Sequence, residues 1–298
     1  MNISQLILKS NLPIREISPE EVQKVRSIYL DILKDIIYIC KKNNLTPIMA
    51  GGSCLGTIRH KGFIPWDDDL DLNMMRKDYE QLPNLLKEEF GDKYICVAPN
   101  IATVSKFPFM KVQRSDCFIQ NIYHAPNEYH YLGIDIFPID NIPNNFVKRL
   151  FHGICLNALQ YIALCITFYE ERNSYSTQLI KSSKEGRTKI NFRLFIGYIA
   201  SLIIHYSKIY SLYDNISAKY KNIETTDISI PTGREHYFGE IYPRSVFIPT
   251  IEKTFENITV QLPGEYDTYL SNLYGNYMQI PPVEKRERHY IIDLKLPQ

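Results

Sequence analysis

Paired cysteines, an excess of one charge and a leader-like start are all missing from this chain of 298 residues. Its six cysteines are widely scattered without a Cys-x-x-Cys pair, which argues against a disulfide framework or a zinc site and favours a reducing cytoplasm. The formal net charge of +1 argues against a nucleic-acid partner, which would normally require a basic face. The opening MNISQLILKSNLP has a short apolar part and no small-residue cleavage site, so we expect no secretory signal.

The composition does allow a sizeable core, because 45% of the residues are hydrophobic and 12% are aromatic. Helical and strand patterns alternate along the chain, which indicates an α+β fold in which helices cover a mixed sheet. Ser18-Pro19-Glu20-Glu21 forms a capping-box sequence and predicts a helix that ends near Asn43. The short apolar run at residues 47–50 then predicts a strand.

Two apolar stretches, Phe146–Tyr169 and Phe192–Tyr213, dominate the middle of the chain. A membrane span needs about 20 apolar residues. The charge-free run of the first stretch, Gly153–Tyr169, is short and includes Asn157 and Gln160, and the second stretch contains His205 and Lys208. Three interpretations stay open: a fully buried helical pair, a true span, and a pair lying on a membrane surface. In the third, anionic lipid would face the cationic connector between the stretches, which contains Lys181, Lys184, Arg187, Lys189 and Arg193.

The most informative stretch is GGSCLGTIRHKGFIPWDDDLDLNM, residues 51–74. Its end predicts a strand over Asp69–Met74, in which Asp69 and Asp71 point to the same face, about 7 Å apart. Two such carboxylates can converge on Mg²⁺, which prefers hard oxygen ligands. The Gly-Gly turn at residues 51–52, with Ser53 as the N-cap of the next helix, would let a phosphate approach backbone N–H groups.

A calcium loop and a solvated turn are weaker interpretations of the acidic run at residues 67–71. The run matches the first three ligand positions of an EF-hand loop, but Leu72 and Asp78 stand where that loop needs Gly and usually Glu. A merely solvated turn would not account for the apolar alternation or for Trp66, the single tryptophan of the chain. Glycine turn, basic residues and paired carboxylates together favour metal-dependent transfer of a phosphate-containing group.

The segment GTIRHKGFIPWDDDLDLNM closely resembles the signature of the LicD family, the bacterial phosphocholine transferases whose relatives include fukutin and fukutin-related protein. The family belongs to the nucleotidyltransferase-fold superfamily, so the resemblance implies a nucleotidyltransferase-like mixed β-sheet flanked by helices, with a helical insertion. Further similarity lies in Gly133–Asp140, in Tyr274–Pro282, and at Arg286 and His289. On this basis we predict a catalytic core at 1–145, a possibly membrane-associated helical insertion at 146–227, and a C-terminal part at 228–298 that completes the core or the acceptor site.

The resemblance implies a transferase that moves phosphocholine from CDP-choline to a hydroxyl of a cell-surface glycan precursor, such as lipopolysaccharide, teichoic acid or capsule, and releases CMP. Mg²⁺ or Mn²⁺ would be held by Asp69, Asp71 and Asp135. Asp135 is included because the fold typically supplies a third carboxylate from a neighbouring strand, where it could orient or deprotonate the acceptor hydroxyl. The candidate substrate-binding residues are Gly51, Gly52, Ser53, Arg59, Lys61, Trp66, Asp67, Lys111 and His289.

Several alternative functions stay open. The same residues could transfer another alcohol phosphate such as phosphoribitol, or a nucleotidyl group, or belong to a non-catalytic nucleotide-binding membrane adaptor. Trp66 could form part of an aromatic cage for choline, or simply pack in the core. We expect a cytoplasmic protein, peripheral on the inner face of the cytoplasmic membrane, where a lipid-linked acceptor would sit.

Overall fold

The computed structural model describes residue 7 and residues 10–102, 106–126, 128–286 and 288–297. Residues 1–6, 8 and 9, in the segment where no secretory signal is expected, lie outside this part. A mixed sheet covered by helices runs through the described residues, which confirms the predicted α+β class.

The elements alternate along the chain. The strands are β1 (Arg15–Glu16), β2 (Ile48–Met49), β3 (Asp71–Met75), β4 (Tyr94–Val97), β5 (Met110–Asn121), β6 (His130–Asn141), β7 (Asp227–Ser229), β8 (Ile241–Pro243), β9 (Ile251–Phe255), β10 (Ile258–Leu262) and β11 (Tyr290–Lys295). The α-helices are α1 (Pro19–Lys42), α2 (Gly51–His60), α3 (Arg76–Phe90), α4 (Phe146–Glu170), α5 (Tyr175–Lys181), α6 (Lys184–Ser201), α7 (Tyr206–Ser217), α8 (His236–Gly239) and α9 (Tyr266–Tyr274).

The sheet brings together strands from both ends of the chain. Its main path runs β1-β11-β5-β6-β3-β2-β10-β9, while β4 pairs with β5, and β7 connects β6 to β8. The pairs β3–β6 and β2–β10 are parallel and the remaining pairs are antiparallel. The parallel pair β3–β6 lies in the middle of the path, and its two ends carry the charged residues that matter below.

Helix α1 begins and ends where the sequence predicts. The Ser18 N–H donates to the Glu21 carboxylate at 2.9 Å, and the Glu21 N–H donates to the Ser18 hydroxyl at 3.2 Å, so the capping box is confirmed. Ile32 and Ile36 on its inner face are fully buried in one core with Leu72 of β3. An amphipathic stripe of this kind fixes the helix against the sheet.

The middle of the chain forms a helical layer rather than a buried pair. Helix α4 is long and apolar enough to cross a membrane, yet only 33% of its most apolar 18-residue window is buried. The segments Gly186–Ser201 and Tyr206–Tyr220 pass the same test together, but they are bent by 89° at their break. The expected basic connector folds as α5 and the start of α6. The fully buried pair is therefore wrong, because much of the apolar surface of these helices is exposed.

Candidate active site

A cavity of about 610 Å³ opens beside the start of β3. Its walls come from the N-terminus of α2, the acidic loop before β3, the segment around α8, and α9 with the residues that follow it. Seven of the predicted site residues line it: Gly51, Gly52, Arg59, Trp66, Asp67, Asp69 and Asp71.

The acidic loop is fixed from helix α1. The Arg26 guanidinium donates to the carbonyl of Ile64 at 2.7 Å and to that of Asp67 at 2.6 Å. The strand that follows starts at Asp71, not at Asp69 as predicted, so Asp69 belongs to the loop. The loop anchored in this way leaves Asp69 and Asp71 in the lining of the cavity.

The two glycines begin α2 and allow the carboxylates to come close to the helix N-terminus. Gly51 has a φ of +42°, and a Cβ on Gly52 would lie 2.9 Å from an Asp67 carboxylate oxygen. The Gly51 N–H donates to the Tyr269 hydroxyl at 3.0 Å. A side chain at Gly52 would therefore displace Asp67, and one at Gly51 would strain the backbone.

Ser53 is not the N-cap of this helix, because Ala50 occupies that position. The Ser53 hydroxyl instead accepts the backbone N–H of Asp71 at 2.9 Å. Ser53 is buried inside the first turns of α2 and ties the helix to the strand that carries the acid. Its observed contact holds Asp71 in place, and the cavity wall is formed by the two glycines before it.

Asp135 lies beside Asp71 on the neighbouring parallel strand, in direct register. Its carboxylate accepts from the Lys111 ammonium at 2.5 Å. Lys111 stands opposite Asp135 across the β5–β6 pair, and its ammonium lies 4.6 Å from the centre of the Phe107 ring. The predicted third carboxylate is thus adjacent to the second, with a cation of the protein at its side.

The carboxylates in the cavity carry more negative charge than their surroundings neutralise. Burial raises the pKa of Asp69 well above its usual value, and the nearby Asp71 and Asp67 raise it further. Burial likewise raises the pKa of Asp71, followed by repulsion from Asp135 and Asp67, while Lys111 lowers it. Such a cluster favours either a proton or a bound cation.

The donor set fits a hard divalent cation. Asp69 and Asp71 line a cavity whose lining also includes Asn73 and Thr232, and in the described structure Asn73 Oδ1 and Thr232 Oγ1 are buried without a hydrogen-bond partner. Asn73 follows Asp71 by two residues, so it continues the same strand face. A ligand with oxygen atoms and a metal ion would satisfy groups of this kind.

His289 and Asp68 form a separate cluster at the back of the acidic loop. His289 Nδ1 lies 2.5 Å from an Asp68 oxygen, and its Nε2 lies 4.0 Å from an Asp67 oxygen. In the described residues, one carboxylate oxygen each from Asp67 and Asp68 and one ring nitrogen of His289 lie within 4.8 Å of one another. Asp69, Asp71 and Asp135 do not meet this condition. The structure therefore gathers the predicted triad less closely than this second set.

Two predicted substrate-binding residues have other surroundings. Lys61 is exposed at the end of α2 with a φ of +58°, and it does not line the cavity. Trp66 lines the cavity, but its ring lies 4.2 Å from the guanidinium of Arg286 and 5.9 Å from that of Arg59. Arg59 in turn donates to the carbonyl of Tyr277 at 2.7 Å. Trp66 thus packs between two arginines of the chain itself.

Several residues of the far wall were not predicted from the sequence. Glu240 is buried there and accepts the Glu235 N–H at 2.9 Å. Burial raises the pKa of this carboxyl to about 7. Arg234 and Lys285 add cations to the same wall. These residues lie far along the chain from the acidic loop, and only the resemblance of Tyr274–Pro282 to a family segment pointed to this region.

Residues 44–154 match the family described as LicD/FKTN/FKRP, nucleotidyltransferase domain. This part of the chain is similar to the LicD family. The LicD segment contains the acidic loop, β3 and Asp135, whereas the Glu240 wall of the cavity lies outside it.

Curated relatives agree with this assignment. The chain is 33% identical over 118 residues to the lipopolysaccharide cholinephosphotransferase LicD of Haemophilus influenzae, which covers 39% of this chain and 43% of that protein. It is 37% identical over 79 residues to an uncharacterized protein of Rickettsia prowazekii, 24% of this chain and 29% of the relative. An uncharacterized Rickettsia typhi protein is 32% identical over 124 residues, 39% of each chain. The matches thus span less than half of each relative.

Proposed function

We propose that this protein transfers phosphocholine from CDP-choline to a hydroxyl of a cell-surface glycan precursor and releases CMP. The observation that carries the proposal is the cavity in which Asp69 and Asp71 meet the glycine N-terminus of α2, inside the segment that matches the LicD family. The cholinephosphotransferase of Haemophilus influenzae supports the donor and a lipopolysaccharide acceptor.

In the proposed reaction the acceptor oxygen bonds to the phosphorus that carries choline. The bond from that phosphorus to the bridging oxygen breaks, and the bridging oxygen leaves with CMP. Bound Mg²⁺ or Mn²⁺ would neutralise charge on the transferring phosphate. Asp69 and Asp71 would hold it, with Asp135 beside them. Asp135 is also the group proposed to orient the acceptor hydroxyl and receive its proton, and Lys111 holds that carboxylate in place.

The lining of the cavity supports a donor that carries a quaternary ammonium. Aromatic rings bind such groups through cation–π attraction, each contributing about 0.5–2 kcal/mol. Because two arginines stack on Trp66, the other rings are better placed to receive choline. The aromatic residues of the lining besides Trp66 are Phe109, Phe137, Tyr269, Tyr274 and Tyr277.

Release of CMP tests the proposal directly. The purified protein is incubated with CDP-choline, CDP-ribitol or CTP, with Mg²⁺ and a glycan acceptor preparation, and both CMP and modified glycan are measured. We expect CMP from CDP-choline, its loss with a chelator, and its return with Mg²⁺ or Mn²⁺. Preference for CDP-ribitol would reassign the alcohol, and pyrophosphate from CTP would indicate nucleotidyl transfer. No turnover of any donor would favour the non-catalytic adaptor.

A further inference from the structure

Helices α4 and α6 present large apolar side chains to solvent. Phe151 on α4 is 68% exposed and Phe195 on α6 is 63% exposed, while Ile203, just after α6, is 82% exposed. More than half of the large exposed apolar side chains in the described part of the chain lie between residues 146 and 212. Exposed apolar surface at this density marks an interaction site.

The two helices form one layer. Gly197 of α6 packs so closely on the Cys165 carbonyl of α4 that a Cβ would lie 2.0 Å from it. The Arg193 guanidinium lies 5.6 Å from the centre of the Phe168 ring. The inner faces of the two helices are thus used in packing, and the outer faces carry the exposed apolar groups.

Charge distinguishes this layer from the rest of the surface. Lys184, Arg187 and Lys189 are all exposed near the start of α6. The carboxylate of Glu171, directly after α4, is buried against Lys106 at 3.0 Å, and that of Asp214 on the adjacent α7 is buried against Arg76 at 2.7 Å. The layer therefore combines apolar side chains with cations, which suits an anionic and amphipathic partner.

We infer that the outer face of α4 and α6 docks on the anionic leaflet of a membrane, its apolar side chains entering the interface and its basic side chains meeting lipid headgroups. A second copy of the chain is a poorer occupant, because the two basic faces would repel each other. A span is also poorer, because the inner face of α4 packs Leu156, Ala163 and Ile166 into the protein.

The inner side of α4 packs against the segment that forms one wall of the cavity. A Cβ on Gly153 of α4 would lie 2.4 Å from the Phe238 ring, and the neighbouring His236 and Glu240 line the cavity. A membrane against α4 would bring a lipid-linked acceptor close to this rim. That last step rests on the proposed function, whereas the docking itself does not.

Vesicle binding by the full chain tests the inference with matched variants. The apolar test is Phe195→Ser with Ile203→Ser, against the control Tyr38→Ser with Ile223→Ser, which removes similarly exposed groups elsewhere. The basic test is Lys184→Gln, Arg187→Gln and Lys189→Gln, against Lys24→Gln, Lys41→Gln and Lys253→Gln, which are also exposed. Each protein is sedimented with phosphatidylcholine vesicles, with or without phosphatidylglycerol.

Both test variants should lower the partition coefficient for anionic vesicles at least tenfold, and both controls should keep it within twofold. High salt should weaken binding of the control proteins, because headgroup attraction is screened within about 8 Å at physiological salt. A Phe195→Trp variant should show a blue-shifted emission on adding anionic vesicles. Equal binding by test and control variants, no binding at all, or conversion of a stable dimer to a monomer by the apolar test would each overturn the inference. None of these readouts depends on transfer activity.

Discussion

The parallel strands β3 and β6 carry charged residues at both of their ends, and the two ends differ in how the charge is balanced. At one end, Asp71 lines the cavity and Asp135 lies beside it in register on the neighbouring strand. At the other, Arg76 directly follows β3 and contacts Asp140 of β6. The same two strands therefore support an acidic cluster that needs a partner and another that already has one.

The second cluster contains Arg76, Asp140 and Asp214, and its carboxylates are bound by groups of the chain itself. Arg76 is 3% exposed and binds both oxygens of Asp140, at 2.7 and 2.8 Å, while its other terminal nitrogen reaches Asp214 at 2.7 Å. The Ser217 hydroxyl donates to Asp140 at 2.5 Å. Burial without an external ligand is possible here because the arginine and the hydroxyl use the carboxylate oxygens. Direct contact with a guanidinium, rather than burial, therefore distinguishes Asp140 from the candidate site residue Asp71.

The largest effect is expected when the second cluster is broken. Asp140→Asn removes one partner of a buried ion pair, which costs about 3–5 kcal/mol of unfolding free energy. Urea denaturation followed by circular dichroism measures this loss. Asp92→Asn is the control, because Asp92 is exposed and paired only with Lys87 at the surface, and its unfolding free energy should change by less than about 0.5 kcal/mol. Equal stability of both variants would contradict a structural role for Asp140.

At the cavity end of β3, which we call the open cluster, substitutions should lower activity without lowering stability. Asp71→Asn should lower transfer at least a hundredfold, a barrier increase of about 2.7 kcal/mol, because an amide is a poorer ligand for Mg²⁺. Its unfolding free energy in chelator should equal or exceed that of the native chain, because repulsion with Asp135 and Asp67 disappears. Asp69→Asn should behave in the same way. If either variant retained more than about a tenth of the native turnover, the assignment of Asp69 and Asp71 as metal ligands would be wrong.

Glu240 is an intermediate case: it is buried, it accepts a backbone N–H, and the nearby Arg234 offsets its charge less than burial opposes it. Its folded pKa of about 7 exceeds the ordinary 4.5, so the folded state holds an extra proton between these values. The stability from this group is complete below pH 4.5 and is lost as pH rises through about 7.

Glu240→Gln removes this titration and keeps the oxygen that accepts the Glu235 N–H. Relative to the variant, the native chain should lose about 1–2 kcal/mol of unfolding free energy between pH 5 and pH 8. Denaturation curves at both pH values in chelator measure the difference. A native chain and a variant with parallel pH profiles would show that Glu240 is ionised in the folded protein.

Local patterns predicted the parts of the molecule that depend on neighbours in sequence. The capping box of α1 and the paired acids Asp69 and Asp71 belong to this class. Asn73 follows Asp71 on the same strand face, but it was not predicted as a site residue because its side chain is an amide. Ser53 was wrongly predicted as an N-cap because the N–H of Asp71, 18 residues away, competes for its hydroxyl.

Contacts between distant segments could not be predicted in the same way. Arg76 finds Asp140 and Asp214 at separations of 64 and 138 residues. Tyr269 reaches the cavity because β10 pairs with β2 and α9 follows β10. Glu240 reaches it because β8, which follows it directly, pairs with β7, and β7 pairs with β6. No periodicity in the sequence predicts these contacts between distant residues, because they depend on the order of strands in the sheet and on packing.

The central claim is that a divalent cation binds at Asp69 and Asp71 and not at the cluster of Asp67, Asp68 and His289. Calorimetry tests it most directly: the purified chain is titrated with Mg²⁺ and Mn²⁺ in the presence of CMP. The native chain and Asp92→Asn should bind the metal alike, Asp71→Asn should bind it at least tenfold more weakly, and His289→Gln should bind it as the native chain does. Unchanged metal affinity in Asp71→Asn, with affinity lost in His289→Gln, would place the cation at the Asp67, Asp68 and His289 cluster and contradict the open site at β3.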